Sequence, residues 1–327
     1  MGRYRHLSIE EREEIMCMRR GNRSVCEIAR ALGRAPSTIS RELARNSCER
    51  FYRASTAQGR YEVRRLACRR PHLLEDPSLR ELVQGKILEE QWSPDQIAGR
   101  LGAELGTRSV SRATIYREIS ARRLDTPELS GTARGIAGKL RRKGKRRRPR
   151  AKERRGKIKA SHELAERPKE ADLRSRLGDW EGDTVAGRQG GACLFTCVDR
   201  RSGYLVASKA LRKASTNVRD AMVRALGNEV LETLTLDRGK EFSLHAEVTK
   251  KIGVEVYFCL PSHPWQRGSN ENTNGLLREY FPKGCDLSSV TEEDLQAVCD
   301  KLNMRPRKRL GYRTPYEVYH GESLHLL

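Results

Sequence analysis

The sequence predicts a multidomain protein: an all-α N-terminal part made of two helix-turn-helix units, then an α/β domain on a mixed five-stranded sheet. Three observations carry this reading. The first 125 residues keep helical spacing and contain an internal repeat. From Leu177 the pattern changes to short β-branched runs alternating with helical ones. Between them lies a block basic enough to read as a linker. The expected boundaries are 1–55 for the first unit, 56–125 for the second, 126–173 for the linker and 174–327 for the α/β domain.

A helix opening at Ser8, with Glu10, Glu11 and Glu13 near its start, reads as scaffold. The repeat follows. Glu27-Ile-Ala-Arg-Ala-Leu-Gly33 matches Gln96-Ile-Ala-Gly-Arg-Leu-Gly102 at four of seven positions, and Ser37-Thr-Ile-Ser-Arg-Glu-Leu43 matches Ala113-Thr-Ile-Tyr-Arg-Glu-Ile119 at four of seven. Each pair reads as a short helix, a turn and a second short helix.

In the first unit Ala29 is small enough for a close helix crossing, and Gly33 supplies a left-handed turn. Pro36 and Ser37 start the next helix, with Ser37 as its N-cap. Ile28, Leu32, Ile39 and Leu43 face inward at helical spacing. Ser37, Thr38, Ser40 and Arg41 are left outward near the helix start, where a recognition helix meets bases and phosphates. A plain αα-hairpin with a solvated face is the alternative, and charge together with repetition favours DNA. The second unit has a longer turn, Gly102 to Arg112, and Arg112, Thr114 and Arg117 are its candidate DNA contacts. Before that turn, Ser93 caps a helix whose first residue is Pro94.

Residues 139–159 hold fourteen Lys or Arg and one acid, Glu153. Such a block repels itself and is expected to stay extended until it meets phosphate, tracking a DNA backbone or acting as a solvated tether. Beyond it, 180–185, 193–199 and 204–209 read as three successive strands joined by glycine-containing turns. A helix at 216–226, a strand at 231–236, a helix at 242–252, a strand at 254–259 and helices at 270–280 and 292–302 follow. Three hairpin strands and then alternating helix and strand give the order of the ribonuclease H-like fold.

Three acids stand out in this frame. Asp183 in WEGDTV and Asp237 in LTLDRGKEF end strand-like runs, while Glu271 opens a helix, with 33 residues separating it from Asp237. On that helix Glu271, Asn274, Gly275 and Arg278 share a polar face, and Leu276, Leu277 and Tyr280 cover the packing side. Mg²⁺, or Mn²⁺ in its place, binds through a few carboxylates plus substrate phosphate. Two such ions about 3.5–4 Å apart activate a nucleophile and stabilise the leaving 3′-oxygen of an in-line displacement. Singly, Asp237 reads equally well as a turn residue, Asp183 as a strand end and Glu271 as a helix cap. Jointly they read as a phosphoryl-transfer site. Asp179, Glu181, Asp199 and Glu241 are rival acids, of which Glu241 and Glu181 are candidates to support the ligands.

Composition agrees. Lys and Arg number 65 against 43 Asp and Glu, a formal charge of +22 over 327 residues, which predicts attraction to a polyanion. A ribosomal or membrane-surface protein would share that imbalance. The nine cysteines form no CxxC pair and read as buried small apolar residues in a reducing cytosol. Cys193 and Cys197 are poorly spaced for zinc. The charged start MGRYRHLSIEE has no apolar signal-peptide stretch, and no apolar run nears the roughly 20 residues of a membrane span. A soluble protein without a membrane partner is expected.

The segments WEGDTV, DRGKEF, HPWQRGSNENTNGLLREYFPKG and LNMRPRKRLGYRTPYEV resemble bacterial insertion-sequence transposases of the IS-thirty family, and the similarity runs nearly end to end. The resemblance implies a ribonuclease H-like integrase core, Mg²⁺ dependence, and recognition of terminal inverted repeats by the N-terminal units. It implies cleavage at transposon ends by water, then attack of the freed 3′-hydroxyl on target DNA. Asp183, Asp237 and Glu271 are the implied metal ligands, and Trp265, Arg267, Asn270, Asn274 and Arg278 would line the site or hold DNA. Joining two ends implies self-association into a dimer or larger synaptic complex, in the bacterial cytoplasm at the nucleoid. Arg238 stands where the family usually has Asn in an Asp-Asn-Gly turn, which implies an altered turn or a phosphate contact. The competing readings are a DNA-binding regulator with a decayed catalytic domain and a structure-directed nuclease. The complete set of acids argues against the first, and two sequence-reading units against the second.

Overall fold

The computed structural model describes residues 5–47, 51–68, 72–106, 110–141, 161–260 and 268–327. It divides into two compact units, one ending at His72 and the other beginning at Leu73.

The first unit holds α1 (Ile9–Arg20), α2 (Val25–Ala31), α3 (Pro36–Asn46) and α4 (Ala54–Ala67). Ser8 with Glu11, and Ser24 with Glu27, close reciprocal capping boxes at the starts of α1 and α2. Gly33, at φ +61°, turns the chain from α2 into α3. The N-cap of α3 is Ala35, so the expected cap Ser37 already lies inside the helix. Pro36, whose fixed φ suits the first helical position, starts the helix earlier than a side-chain cap would.

Ile15, Ile28, Ala29, Ile39 and Ala57 make the core of this unit. Buried Arg12 crosses it, its Nε donating to Glu42 Oε1 at 2.9 Å and its Nη1 to Leu7 O and Gln58 Oε1 at 2.7 Å each. The Tyr52 hydroxyl donates to the same Glu42 oxygen at 3.0 Å. These bonds hold α4 against α1 and α3. The division therefore falls after His72 rather than after the expected residue 55.

The second unit begins with α5 (Pro77–Leu88), α6 (Pro94–Leu105), α7 (Arg112–Ser120) and α8 (Pro127–Ser130), packed around Val83, Ile87, Trp92, Ile97, Leu101, Ile115 and Ile119. Ser93 caps α6 and Pro94 is its first residue, as expected. The helix runs through Gly102, however, and the left-handed residue that ends it is Gly106 at φ +61°.

A six-stranded mixed sheet follows, in the order β1-β6-β5-β2-β3-β4. Its strands are β1 (His162–Glu163), β2 (Asp179–Ala186), β3 (Cys193–Asp199), β4 (Leu205–Ala210), β5 (Thr233–Leu236) and β6 (Glu255–Phe258). β2, β3 and β4 form antiparallel hairpins, and β2, β5, β6 and β1 run parallel. The expected five strands are thus joined by a sixth. β1 has only two residues and lies in the stretch read as linker, so neither alternation nor length could reveal it.

Between β1 and β2 lies α9 (Lys169–Leu173). One face of the sheet is covered by α10 (Ser215–Leu226) and α11 (His245–Ile252), which pack Val218, Met222, Leu226 and Val248 on Trp180, Phe195, Leu234, Leu236 and Phe258. The other face carries α12 (Gly268–Tyr280) and α13 (Glu292–Asn303), with Leu276, Leu277, Leu295 and Leu302 against Val185, Leu194 and Val198. The last helix, α14 (Pro315–His320), ties back to α6 through buried Arg100 and Glu317.

Cys193, Cys197, Cys259 and Cys299 are buried as expected, but Cys17, Cys26 and Cys68 are exposed, on helix faces that apolar content alone does not assign. No described helix is long and apolar enough to cross a membrane.

Candidate active site

β2 and β5 are parallel neighbours in the register Asp179↔Thr233 and Glu181↔Thr235. Side chains alternate along a strand, so two residues further on Asp183 and Asp237 come level on one face of the sheet. Trp180, Leu234 and Leu236 fill the opposite face. Asp183 Oδ1 accepts from its neighbour Thr184 N at 2.8 Å, and Oδ2 accepts from Asn274 Nδ2 at 3.1 Å. Asp237 Oδ1 accepts from Gly239 N at 3.0 Å, an Asx turn that aims the carboxylate back over the strand end. Between Glu181 and Asp183, Gly182 has no room for a side chain: a Cβ there would stand 2.6 Å from Leu236 Cδ2.

α12 is fastened over this edge by its first turns. Asn270 Nδ2 donates to Glu181 O at 2.8 Å, and the Asn270 backbone N–H donates to Glu181 Oε2 at 3.2 Å. One turn on, Asn274 Oδ1 accepts from the Thr196 hydroxyl at 2.9 Å while its amide donates to Asp183. Glu271, half-buried, lies between these two asparagines. Among the described residues no three His, Cys, Asp or Glu side chains stand together as a metal-holding group. Two aspartates are level on adjacent strands, and the third acid is on the helix packed over them without closing a triad. The donors at these positions are hard oxygens, with no thiolate or imidazole, and that set suits Mg²⁺ or Mn²⁺.

The rival acids have structural partners. Asp179 accepts from the Thr233 hydroxyl at 2.7 Å and pairs with Arg176 at 3.1 Å. Asp199 accepts from Gly178 N and from Ser202, and burial raises its pKa. Glu181 is bound to Arg200 as well as to Asn270. Glu241 accepts from Thr184 Oγ1 at 3.1 Å and Lys213 Nζ at 2.6 Å, and although burial opposes ionisation, Lys213 brings its pKa below the usual value. The Lys213–Glu241 pair thus braces the residue after Asp183. Nothing in the spacing of Lys213 marked it.

The expected DNA contacts on α12 are placed differently. Asn270 is fully buried and spends its side chain on Glu181 O and on Thr196. Asn274 bonds Thr196 and Asp183, and Arg278 Nη2 donates to Ala186 O at 2.8 Å. All three fasten the helix to the sheet, a role that a polar helix face does not distinguish from ligand binding. Trp265 and Arg267 lie outside the described residues, as does 142–160 of the basic segment. On either side of those residues, Arg141 pairs with Glu279 of α12 at 3.2 Å, and the Ser161 hydroxyl donates to Val256 O of β6 at 3.2 Å. Arg238 Nη2 reaches both oxygens of Glu163 at 2.6 Å. Its φ is not positive, so the turn makes no demand for the left-handed backbone that Asn tolerates.

In the first unit Ser37, Ser40 and Arg41 are exposed on α3 and Thr38 is half-buried. On α7, Arg112 and Arg117 are exposed, Thr114 is half-buried, and Arg112 pairs loosely with Asp95 at 3.4 Å. Tyr116, 46% exposed between them, adds an aromatic face that the repeat did not single out. Each of the two helices also buries one glutamate on an arginine, Glu42 on Arg12 and Glu118 on Arg123. The repeat in sequence is therefore also a repeat in anchoring.

Two family models match: a helix-turn-helix domain over residues 3–46 and an integrase core domain over residues 175–264. The second spans Asp183 and Asp237 and stops before Glu271. The transposase InsI for insertion sequence element IS30A of Escherichia coli (strain K12) is 40% identical over 96% of this chain and 83% of its own length. The transposase for element IS4351 of Bacteroides fragilis is 37% identical over 96% and 95%. The transposase for element IS1086 of Cupriavidus metallidurans is 38% identical over 97% and 94%. A helix-turn-helix domain joined to an integrase core implies DNA binding and dependence on a divalent metal ion.

Proposed function

We propose a mechanism for a chain that belongs to the IS30 family of insertion-sequence transposases: it binds the terminal inverted repeats of its element, cuts there, and joins the freed end to target DNA. The observation that carries this reading is the parallel register that brings Asp183 and Asp237 level on one sheet face.

In this reading Asp183, Asp237 and Glu271 would hold two Mg²⁺ ions, with Mn²⁺ able to substitute. Bound there, the ions would favour ionisation of the attacking water and stabilise the leaving 3′-oxygen. The chain does the rest by positioning. Asn274 and the Thr184 backbone N–H orient the Asp183 carboxylate, and the Gly239 N–H orients Asp237. Asn270, locked to Glu181, sets the start of the helix that carries Glu271. In cleavage a water oxygen bonds to phosphorus as the bond to the 3′-oxygen breaks, leaving a 3′-hydroxyl and a 5′-phosphate. In joining, that 3′-hydroxyl attacks a target phosphodiester, and the displaced target oxygen takes up a proton.

Ser37, Thr38, Ser40 and Arg41 read one part of the terminal repeat and Arg112, Thr114 and Arg117 another. Arg267 and the basic segment add phosphate contacts. Two ends must meet, so the active form is a dimer or larger assembly on DNA, working at the nucleoid in the cytoplasm.

The test is cleavage and joining of a labelled duplex carrying the element's own terminal repeat, with Mg²⁺ or with EDTA. Wild-type protein should give metal-dependent products, and Asp183→Asn and Glu271→Gln should give none while binding the repeat normally. Specific binding without products in any divalent metal would return the protein to the regulator reading.

A further inference from the structure

Below the two aspartates, on the same sheet face, three arginines crowd a cavity. It measures about 200 Å³ and is lined by Leu164, Arg167, Asp172, Arg174, Glu181, Arg200 and Gly268. A cleft for a drug-sized ligand is roughly 300–1,000 Å³, so this one suits a single small group. Glu181 lies two residues before Asp183 on β2, about 6.6 Å back along the strand.

The charges there do not balance. Among the described residues that line it, Arg167, Arg174 and Arg200 outnumber the two acids, Glu181 and Asp172. Arg167 is 6% exposed and Arg200 is 7% exposed, so both guanidiniums lie largely beneath the surface. Arg167 Nη1 donates to Thr235 Oγ1 at 2.8 Å and Nη2 to Asp172, but its buried Nε has no hydrogen-bond partner among the described residues. Arg200 is held by Glu181 and by Ala171 O, with Asp172 3.9 Å from its Nη2. Burial lowers the Arg200 pKa, Glu181 opposes that, and Arg167 and Arg174 lower it further, as expected of crowded like charges. Arg174 closes the rim and donates to Ser269 Oγ in the first turn of α12, whose positive dipole end adds to the field.

Asp172 is the telling member. Its side chain is 59% exposed, yet it bridges the two buried guanidiniums from the solvent side. A phosphodiester, whose two non-bridging oxygens match the acceptor pair of a carboxylate, could take its place, gripping Arg167 and Arg200 while Asp172 swings into water.

From this geometry we infer a phosphate-binding site in the Arg167–Arg174–Arg200 cavity that takes one backbone phosphodiester of the DNA being cut, with Asp172 as the carboxylate it displaces. The inference rests on DNA being the substrate and adds a second anchor one step along the strand from the cutting site. A phosphate held there would fix which neighbouring phosphodiester reaches Asp183 and Asp237, without reading sequence.

The test uses two rim variants with opposite expected signs in the full chain. Affinity for a fluorescent terminal-repeat duplex is read by anisotropy across a salt series, which does not require the chemistry to work. Arg174→Gln should weaken binding about tenfold and reduce the log–log salt slope by about one. Asp172→Asn should tighten binding, since it removes the resident competitor, and Arg174→Lys should keep most of the wild-type affinity. A duplex with a neutral methylphosphonate stepped along the cut strand should reveal one position where wild type loses affinity and Arg174→Gln loses no more. The site is overturned if Asp172→Asn weakens binding as Arg174→Gln does, which would mark a purely structural cluster, or if neither variant changes affinity. The cleavage assignment is judged separately: products that persist in Asp183→Asn would sink it and leave the anisotropy result standing.

Discussion

Arg100 and Glu317, 217 residues apart in sequence, form a two-pronged ion pair, Nη1 to Oε2 at 2.7 Å and Nη2 to Oε1 at 2.9 Å. Both are almost fully buried, and Arg100 also binds Glu104 and the carbonyls of Tyr312 and Leu324. The bond joins α6 to α14, the last helix of the chain. α6, and α7 packed on it, are thereby tied to the end of the chain that packs on the sheet.

Arg100→Met should destabilise the larger unit by about 3–5 kcal/mol, because Glu317 would be left buried without its cation. Thermal unfolding of the full chain would measure it. A loss below 1 kcal/mol would mean that Glu317 finds water or another donor.

Glu317 also sets an acid limit. Burial alone would raise its pKa, but hydrogen bonds from Arg100 and from the Leu324 and Thr314 N–H groups outweigh that and hold it down to about 2. A carboxyl depressed in the folded state binds its proton more readily when unfolded. Its stabilisation is therefore complete above the ordinary value of 4.5 and is lost as pH falls from there toward 2. Glu317→Gln should be less stable at neutral pH and lose less on acidification. Parallel stability–pH curves for the two proteins between pH 5 and 2 would refute this.

Asn274→Ala removes the amide that orients Asp183 and the acceptor of Thr196. A support of this kind is worth about 10–100-fold in metal affinity or rate. The Mg²⁺ concentration for half-maximal cleavage should rise, with affinity for the terminal repeat unchanged. An unaltered Mg²⁺ requirement would deny Asn274 that positioning role.

Arg238→Asn exchanges the Glu163 ion pair for the residue usual in the family's turn. Glu163 is 46% exposed, so the pair is worth at most about 1 kcal/mol. Unfolding should shift by only about 2–4 °C, and cleavage should stay close to wild type. A cleavage loss without a change in unfolding would show that the guanidinium acts on substrate.

Arg41→Ala and Arg117→Ala remove exposed cations from α3 and α7. A base contact is worth about 1–3 kcal/mol of discrimination, so each variant should lose preference for the terminal repeat over unrelated DNA. Equal loss on both DNAs would reassign that arginine to phosphate.

Much was legible because it is local. Serine caps at Ser8 and Ser93, the left-handed Gly33, the β3 run at 193–199 and the apolar side of α12 each depend on residues a few positions apart. Asp237 was legible for the same reason, since it follows the end of β5, whereas Asp183 lies inside β2, which continues to Ala186 rather than ending at the aspartate. Local logic failed where two local signals competed: at Pro36 the proline started the helix before Ser37 could cap it. It failed again at β1, where two residues carry no period.

Sequence alone determined the two repeated helical units, the α/β half, and the acids that could bind metal. Tertiary structure decided which polar residues are spent inside. Asn270 and Arg278, read as DNA contacts, are bound to the sheet, and Arg12 joins α4 to the first unit across the boundary expected after residue 55. It also paired Arg100 with Glu317 and gathered Arg167, Arg174 and Arg200 about one cavity. The physical reason is range. Caps and periodicity come from neighbours along the chain, whereas a buried guanidinium needs acceptors that only folding brings within about 3 Å, from positions that sequence spacing does not relate.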